Sequence, residues 1–172
     1  MNREQQLRTQ IRWLAWVVIA GLVISGLTAI PLEWELNFAV KLIGTDGVSS
    51  PPANSGLAFW LLKVREGVRT TNAYFPFMAY GTDWLAFGHV VIAIAFVGVL
   101  RDPVRNIWLF EFGLIACALV IPWAFLFGAV RGIPVYWRLI DCSFGAFGLI
   151  PLWYGRRATR ELRRITATRR EP

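Results

Sequence analysis

Residues 106–128 read NIWLFEFGLIACALVIPWAFLFG, and Glu111 is the only charged side chain among them. A helix needs about 20 predominantly apolar residues to cross the hydrocarbon of a bilayer, and this stretch supplies them. Working outward, three more runs have the same character. LAWVVIAGLVISGLTAI (14–30) follows Trp13 and stops at Pro31. WLAFGHVVIAIAFVGVL (84–100) precedes the 106–128 run, and VYWRLIDCSFGAFGLIPLWYG (135–155) follows it. The chain has 172 residues, 56% of them hydrophobic, and a mean hydropathy of +0.48. A soluble domain of this length has less apolar content and no long uncharged runs.

The expected fold is therefore an all-α membrane protein, a four-helix transmembrane bundle. Its expected spans are 13–31, 84–100, 106–128 and 135–155. A short N-terminus (1–12), a long first loop (32–83) and a basic tail (156–172) complete the chain. The second span is short, so it is expected to begin earlier, near 75–80, or to thin the bilayer. A cleaved signal peptide is the alternative for the first run, because Arg3, Arg8 and Arg12 precede it. Its core is longer than an h-region and no clean A-x-A site follows, which favours a retained span. Of nine Trp, most sit at run ends, where a half-wet ring is favoured. Pro122 and Pro151 each remove a backbone donor within a span. Small residues (Gly21, Ser25, Gly113, Cys117, Gly145, Gly148) recur at helical spacing and permit close helix approach.

Arginines set the expected orientation. Arg3, Arg8 and Arg12, then Arg101 and Arg105, then Arg156, Arg157, Arg160, Arg163, Arg164, Arg169 and Arg170 fall on one side of a four-span chain. The positive-inside rule makes that side cytoplasmic, with both termini there; a bacterial inner (plasma) membrane is the expected location. Net charge is +7. The tail accounts for much of it, and anionic lipid headgroups explain a basic segment directly after a span. No nucleic-acid motif accompanies it. Removing residues 158–172 is expected to weaken anionic-lipid binding without unfolding the bundle.

The first loop reads as a small mixed α/β extracytoplasmic cap. EWELNFAVKL (33–42) alternates, with Trp34, Leu36, Phe38, Val40 and Leu42 on one side, which predicts a strand. GTDG (44–47) predicts a turn. A helix capped by Asn54 or Ser55 follows, its apolar face made of Leu57, Trp60, Leu61, Val64 and Val68. AYFPFMAY (73–80) predicts a second, edge strand. The competing picture is an interfacial amphipathic helix.

Ionisable groups inside the spans are the candidate functional residues, because charge in a bilayer is costly. His89 and Asp141 lie roughly 7–9 Å from the same outer mouth at about 1.5 Å per residue. Arg138 lies between that mouth and Asp141, three residues before it, so an Arg138–Asp141 or His89–Asp141 pair is expected. Arg131, Trp137, His89, Arg138 and Asp141 form the candidate ligand-binding set. Glu111 lies near the opposite face, where Arg101, Arg105, Arg156 or Arg157 are its natural partners.

His89, Asp141 and Glu111 are the catalytic candidates, yet no GxSxG, HExxH, Walker or GxGxxG pattern occurs. Cys117 and Cys142 stand alone, without a CxxC or Cys/His cluster, so no metal site is expected. A single histidine excludes bis-His haem within one chain. No cofactor is expected, with a one-histidine haem or pigment contact left open. The leading expectation is a non-enzymatic accessory subunit or a binder of a lipid-like, amphipathic ligand at the outer mouth. A membrane-protein partner or a homo-oligomer is compatible with it. The alternative is an intramembrane enzyme or proton-coupled carrier in which His89 acts with Asp141 and Arg138.

Overall fold

A computed structural model describes residues 2–44 and 56–168. Among the described residues, six α-helices and one short 3₁₀ helix make the regular structure: α1 (Arg3–Thr28), α2 (Leu32–Leu42), α3 (Leu57–Tyr74), the 3₁₀ helix Pro76–Ala79, α4 (Tyr80–Arg101), α5 (Ile107–Val130) and α6 (Val135–Thr168). Three helical runs are long and apolar enough to cross a membrane: Arg3–Thr28, Pro76–Arg101 and Ile107–Val130. Their exposed surfaces carry Trp16, Ile24, Ile94, Leu119 and Trp123. Contiguous apolar surface on this scale marks contact with lipid or protein. The described residues are all-helical, and their three long apolar helices mark a membrane protein.

Two expectations change. The fourth span does not reach the apolarity of the other three, because Arg138 and Asp141 fall in its first turns; three helices rather than four are apolar enough to cross a membrane, and a four-helix transmembrane bundle is not supported. The α/β cap is overturned, since the described residues contain no strand. Residues 33–42 form α2 instead. Apolar residues at every second position contain two i, i+4 ladders, Leu36/Val40 and Trp34/Phe38/Leu42. In a helix these ladders point in nearly opposite directions. Leu36 and Val40 are buried, whereas Trp34, Phe38 and Leu42 are exposed, and Trp34 stacks on Phe38 at 5.9 Å. Glu33 and Glu35 in the first turn and Lys41 in the last complement the helix dipole.

The predicted edge strand at 73–80 is also helical. α3 ends at Tyr74, and Pro76 opens the 3₁₀ helix that leads into α4, a position where its missing N–H costs nothing. The predicted turn beyond Gly44 and the caps at Asn54 or Ser55 lie outside the described residues. Gly56, in extended backbone, directly precedes α3.

The chain packs as two compact units, one of Met1–Gly21 with Ile92–Pro172 and one of Leu22–Val91. The first unit begins with a capping box. Asn2 Oδ1 accepts from the Gln5 backbone N–H, while Gln5 Oε1 accepts from the Asn2 N–H, each at 3.3 Å. Its core holds the i, i+4 ladder Leu7, Ile11, Ala15 and Ile19 of α1. From α4 and α5 it holds Phe96 and Phe110, edge to face at 6.1 Å. Between those helices, the Asn106 amide donates to the Gly98 and Asp102 carbonyls and so satisfies the α4 C-terminus.

α5 and α6 form an antiparallel hairpin with one constant register. Gly113 faces Leu152, Cys117 faces Gly145 and Gly148, and Phe110 faces Gly155. A Cβ on Gly145 would stand 3.0 Å from the Cys117 carbonyl, and one on Gly113 2.7 Å from Leu152. Four of the small residues read from the sequence, Gly113, Cys117, Gly145 and Gly148, therefore line the contact between these two helices, whereas Gly21 meets nothing within 4 Å. A Schellman turn links them: Ile133 N–H donates to Gly128 O at 2.9 Å and Gly132 N–H to Ala129 O at 3.2 Å. Gly132 has φ +67°, a conformation that penalises any Cβ. Replacing Gly132 with alanine is expected to cost about 1 kcal/mol, read as a lower unfolding temperature in detergent.

α6 runs for 34 residues, roughly 50 Å at 1.5 Å per residue, well beyond a hydrocarbon core of about 30 Å. The segment beyond Gly155 is the continuation of this helix. Ala158, Thr159 and Leu162 are buried on one side of it, and Arg157, Arg160, Arg163 and Arg164 are exposed on the other. Glu161 pairs with Arg3 at 2.8 Å. The structure thus makes residues 158–168 part of a core, so their removal cannot isolate a lipid contact.

Candidate functional site

The unit Leu22–Val91 carries a half-open cavity of about 620 Å³, within the range of small-ligand sites. Four segments make it. The turn after α1 and the start of α2 bring Ile30, Leu32 and Trp34; α3 brings Val64 and Val68; the 3₁₀ helix brings Met78; the first turn of α4 brings Thr82. Gly67 lies in the α3 wall, and a Cβ there would meet nothing within 4 Å. Gly67 is exposed, so the α3 backbone is open at the rim of the cavity at that point.

Polar groups are few. Asn72 Nδ2 donates to Glu33 Oε2 at 2.7 Å, tying α3 to α2. Thr82 Oγ1 donates to Ala79 O at 2.7 Å, so its oxygen keeps lone pairs free. Among the described residues that line the cavity, Glu33 is the only charged one. Arg65 and Arg69 share α3 with Asn72, but neither contributes to the lining. This combination, apolar walls with one anionic, hydrogen-bonded carboxylate, suits a largely apolar guest with a polar end.

The residues singled out from the sequence lie elsewhere. In the Leu22–Val91 unit, His89 is half-buried on α4. Its Nδ1 lies 2.8 Å from Leu85 O. A carbonyl only accepts, so Nδ1 carries the proton and Nε2 is left as the free ring nitrogen. A Cβ on Gly26 would sit 2.8 Å from His89 Cβ and 3.0 Å from Ala86 O, so α1 and α4 touch there. Gly26→Leu is expected to displace the ring and lower thermal stability; an unchanged melt would contradict the close approach.

The other candidates belong to the Met1–Gly21/Ile92–Pro172 unit. Arg138 lays its side chain over Gly128, with a Cβ there falling 2.7 Å from Arg138 Cδ. Its Nε donates to Ile133 O at 2.8 Å. Arg138 thus fastens the α5–α6 turn. No ion pair joins it to Asp141 among the described residues. Asp141 and Trp137 are half-buried, and Arg131 is exposed at the end of α5. Glu111 accepts from Arg156 Nε at 2.8 Å and from Arg160 at 3.2 Å. Arg156 is one of its expected partners; Arg160 joins because it lies one turn further along α6. Glu111→Gln leaves two guanidinium groups facing an amide. A loss of about 1 kcal/mol is expected, because the cluster is partly exposed; a cycle with Arg156→Gln measures the coupling.

Cys117 and Cys142 are free thiols. The described residues contain no cluster of metal-ligating side chains. Sequence reasoning missed Glu33 and Asn72. The available signal was Gly67, an isolated glycine inside a helical pattern, which often marks a packing or functional demand. A scan against protein-family models finds no match, and neither does a search of curated proteins or of solved structures.

Proposed function

We propose that this chain is a non-enzymatic integral membrane protein that holds a lipid-like ligand in the cavity between α2 and α3. The cavity's size and apolar lining carry the reading. In the proposed topology the first half of α6 is the fourth span and both termini face the cytoplasm, here of a bacterial inner membrane, since the arginine-rich segments then share one side. The α2–α3 segment lies on the outer surface. α2 sits in the interface with Trp34, Phe38 and Leu42 toward lipid, an arrangement supported by their exposure and by the preference of such helices for the headgroup boundary. A ligand enters from the bilayer beside Trp34. On the cytoplasmic side the exposed arginines of α6 meet anionic headgroups.

Gly67→Leu tests the pocket. The new side chain enters open space, and leucine favours the helix over glycine by about 0.8 kcal/mol, so the variant is expected to be as stable as wild type. Native mass spectrometry of protein purified from its membranes in mild detergent is expected to show a retained amphiphile on the wild type and none on Gly67→Leu. Equal retention by both refutes the site.

The proton-coupled carrier keeps one observation in its support. Asp141 lies in an apolar helix with no ion-pair partner among the described residues, and intramembrane carboxyls of that kind often move protons. It requires proton flux into proteoliposomes carrying a pH-sensitive dye, abolished by Asp141→Asn. Absence of flux with wild type removes it.

A further inference from the structure

The geometry points to a cationic amphiphile, an alkyl chain ending in an ammonium group, as the guest of the α2–α3 cavity, with the Glu33 carboxylate as the headgroup contact. This inference rests on the pocket reading above and adds the chemistry of the ligand's polar end.

Charge complementarity carries it. Glu33 is the sole charge on the described lining, and its Oε2 already holds the Asn72 amide at 2.7 Å. That bond fixes the carboxylate against the wall of α3 and leaves Oε1 to accept from a guest. An ionised carboxylate has only acceptor sites. Thr82 offers a further acceptor, because its hydroxyl proton is committed to Ala79 O. No lysine or arginine lines the cavity to balance a phosphate or carboxylate. The basic residues of α3 stay outside: Lys63 is exposed and lies over the Phe59 and Trp60 rings at 6.0 and 5.8 Å. An anionic headgroup entering the cavity would lose water and face Glu33 without compensation. An ammonium would gain a charge-assisted hydrogen bond instead. The apolar walls take the chain, so head and tail are recognised by different residues.

The test compares three probes of equal chain length: dodecylammonium, dodecanol and dodecanoate. Saturable binding is measured by calorimetry on full-length protein in phosphatidylcholine nanodiscs at neutral pH and low salt, after subtracting empty nanodiscs. Wild type is expected to bind dodecylammonium about tenfold more tightly than dodecanol, with dodecanoate weaker than either. Glu33→Gln is expected to bring dodecylammonium to within about twofold of dodecanol measured on the same variant. Equal binding of all three probes by wild type overturns the cationic headgroup and leaves the pocket standing. A cation preference that survives Glu33→Gln overturns Glu33 as the headgroup contact and, with it, this inference, while the pocket stands. Gly67→Leu is expected to lose all three; if it binds all three as wild type does, the pocket reading itself fails. Should Glu33→Gln not fold, the order of the three probes on wild type still decides.

Discussion

Gly155→Leu is expected to lower stability by about 3 kcal/mol, among the largest effects of any single change in this chain. A Cβ at this position would overlap Cε1 and Cζ of Phe110. Phe110 has no free direction in which to yield: its relative exposure is 0%, and it sits edge to face with Phe96, which is 1% exposed. The helices must separate, and separation undoes the neighbouring contacts of Gly113 with Leu152 and of Gly145 with Cys117. Loss of that seam also carries Glu111 away from Arg156 and Arg160. Cys117 and Cys142 supply the readout, since both are free and half-buried. A thiol-reactive dye followed against temperature is expected to report unfolding well below the wild-type midpoint. Gly21→Leu is the control, because a Cβ there meets nothing within 4 Å. Equal midpoints for the two variants would falsify the close-packed seam.

The same seam shows what was legible in the sequence. Hydropathy gives spans because lipid forces every backbone polar group into a helix. The small-residue pattern gives close packing, yet it does not say which helix answers which; the short turn at 131–134 settles that. The strand assignment at 33–42 failed for a specific reason. The alternation is clean, with Glu33, Glu35, Asn37 and Lys41 opposite the apolar set, but the same residues also form two i, i+4 ladders, and the helix buries one ladder while exposing the other.

The expected Arg138–Asp141 ion pair is absent among the described residues for a related reason. Sequence spacing paired Arg138 with Asp141, but a Schellman turn leaves carbonyls at the α5 end, and Ile133 O captured the guanidinium first. Leu85 O did the same for His89. A backbone carbonyl within reach on the same stretch of chain offers such a side chain a hydrogen bond without a second side chain to be ordered. The cavity was invisible for the opposite reason: its walls are separated by a stretch of chain that no periodicity bridges. Glu33 and Asn72 looked like ordinary surface residues until α2 and α3 were placed side by side.

Removal of residues 158–172 is the second large effect, and it is expected to unfold the Met1–Gly21/Ile92–Pro172 unit. The deletion takes away Leu162 at 0% exposure and Ala158 at 4%. It also removes the Thr159 hydroxyl bonded to Gly155 O, Arg160 beside Glu111, and Glu161 paired with Arg3. Truncating one buried leucine to alanine alone costs about 2–5 kcal/mol, so the deletion is expected to exceed the net stability of most domains. Neutralising the outward face separates charge from packing. Arg157→Gln, Arg163→Gln and Arg164→Gln combined leave the buried face untouched, and each exposed substitution is expected to shift stability by no more than about 0.5 kcal/mol. Near an anionic surface each arginine is worth about 1 kcal/mol. The triple variant is therefore expected to melt with wild type while losing its preference for phosphatidylserine over phosphatidylcholine vesicles. A deletion protein that melts like wild type would show that the second half of α6 is an appendage after all. A triple variant that keeps its lipid preference would place the headgroup contact elsewhere on the cytoplasmic side.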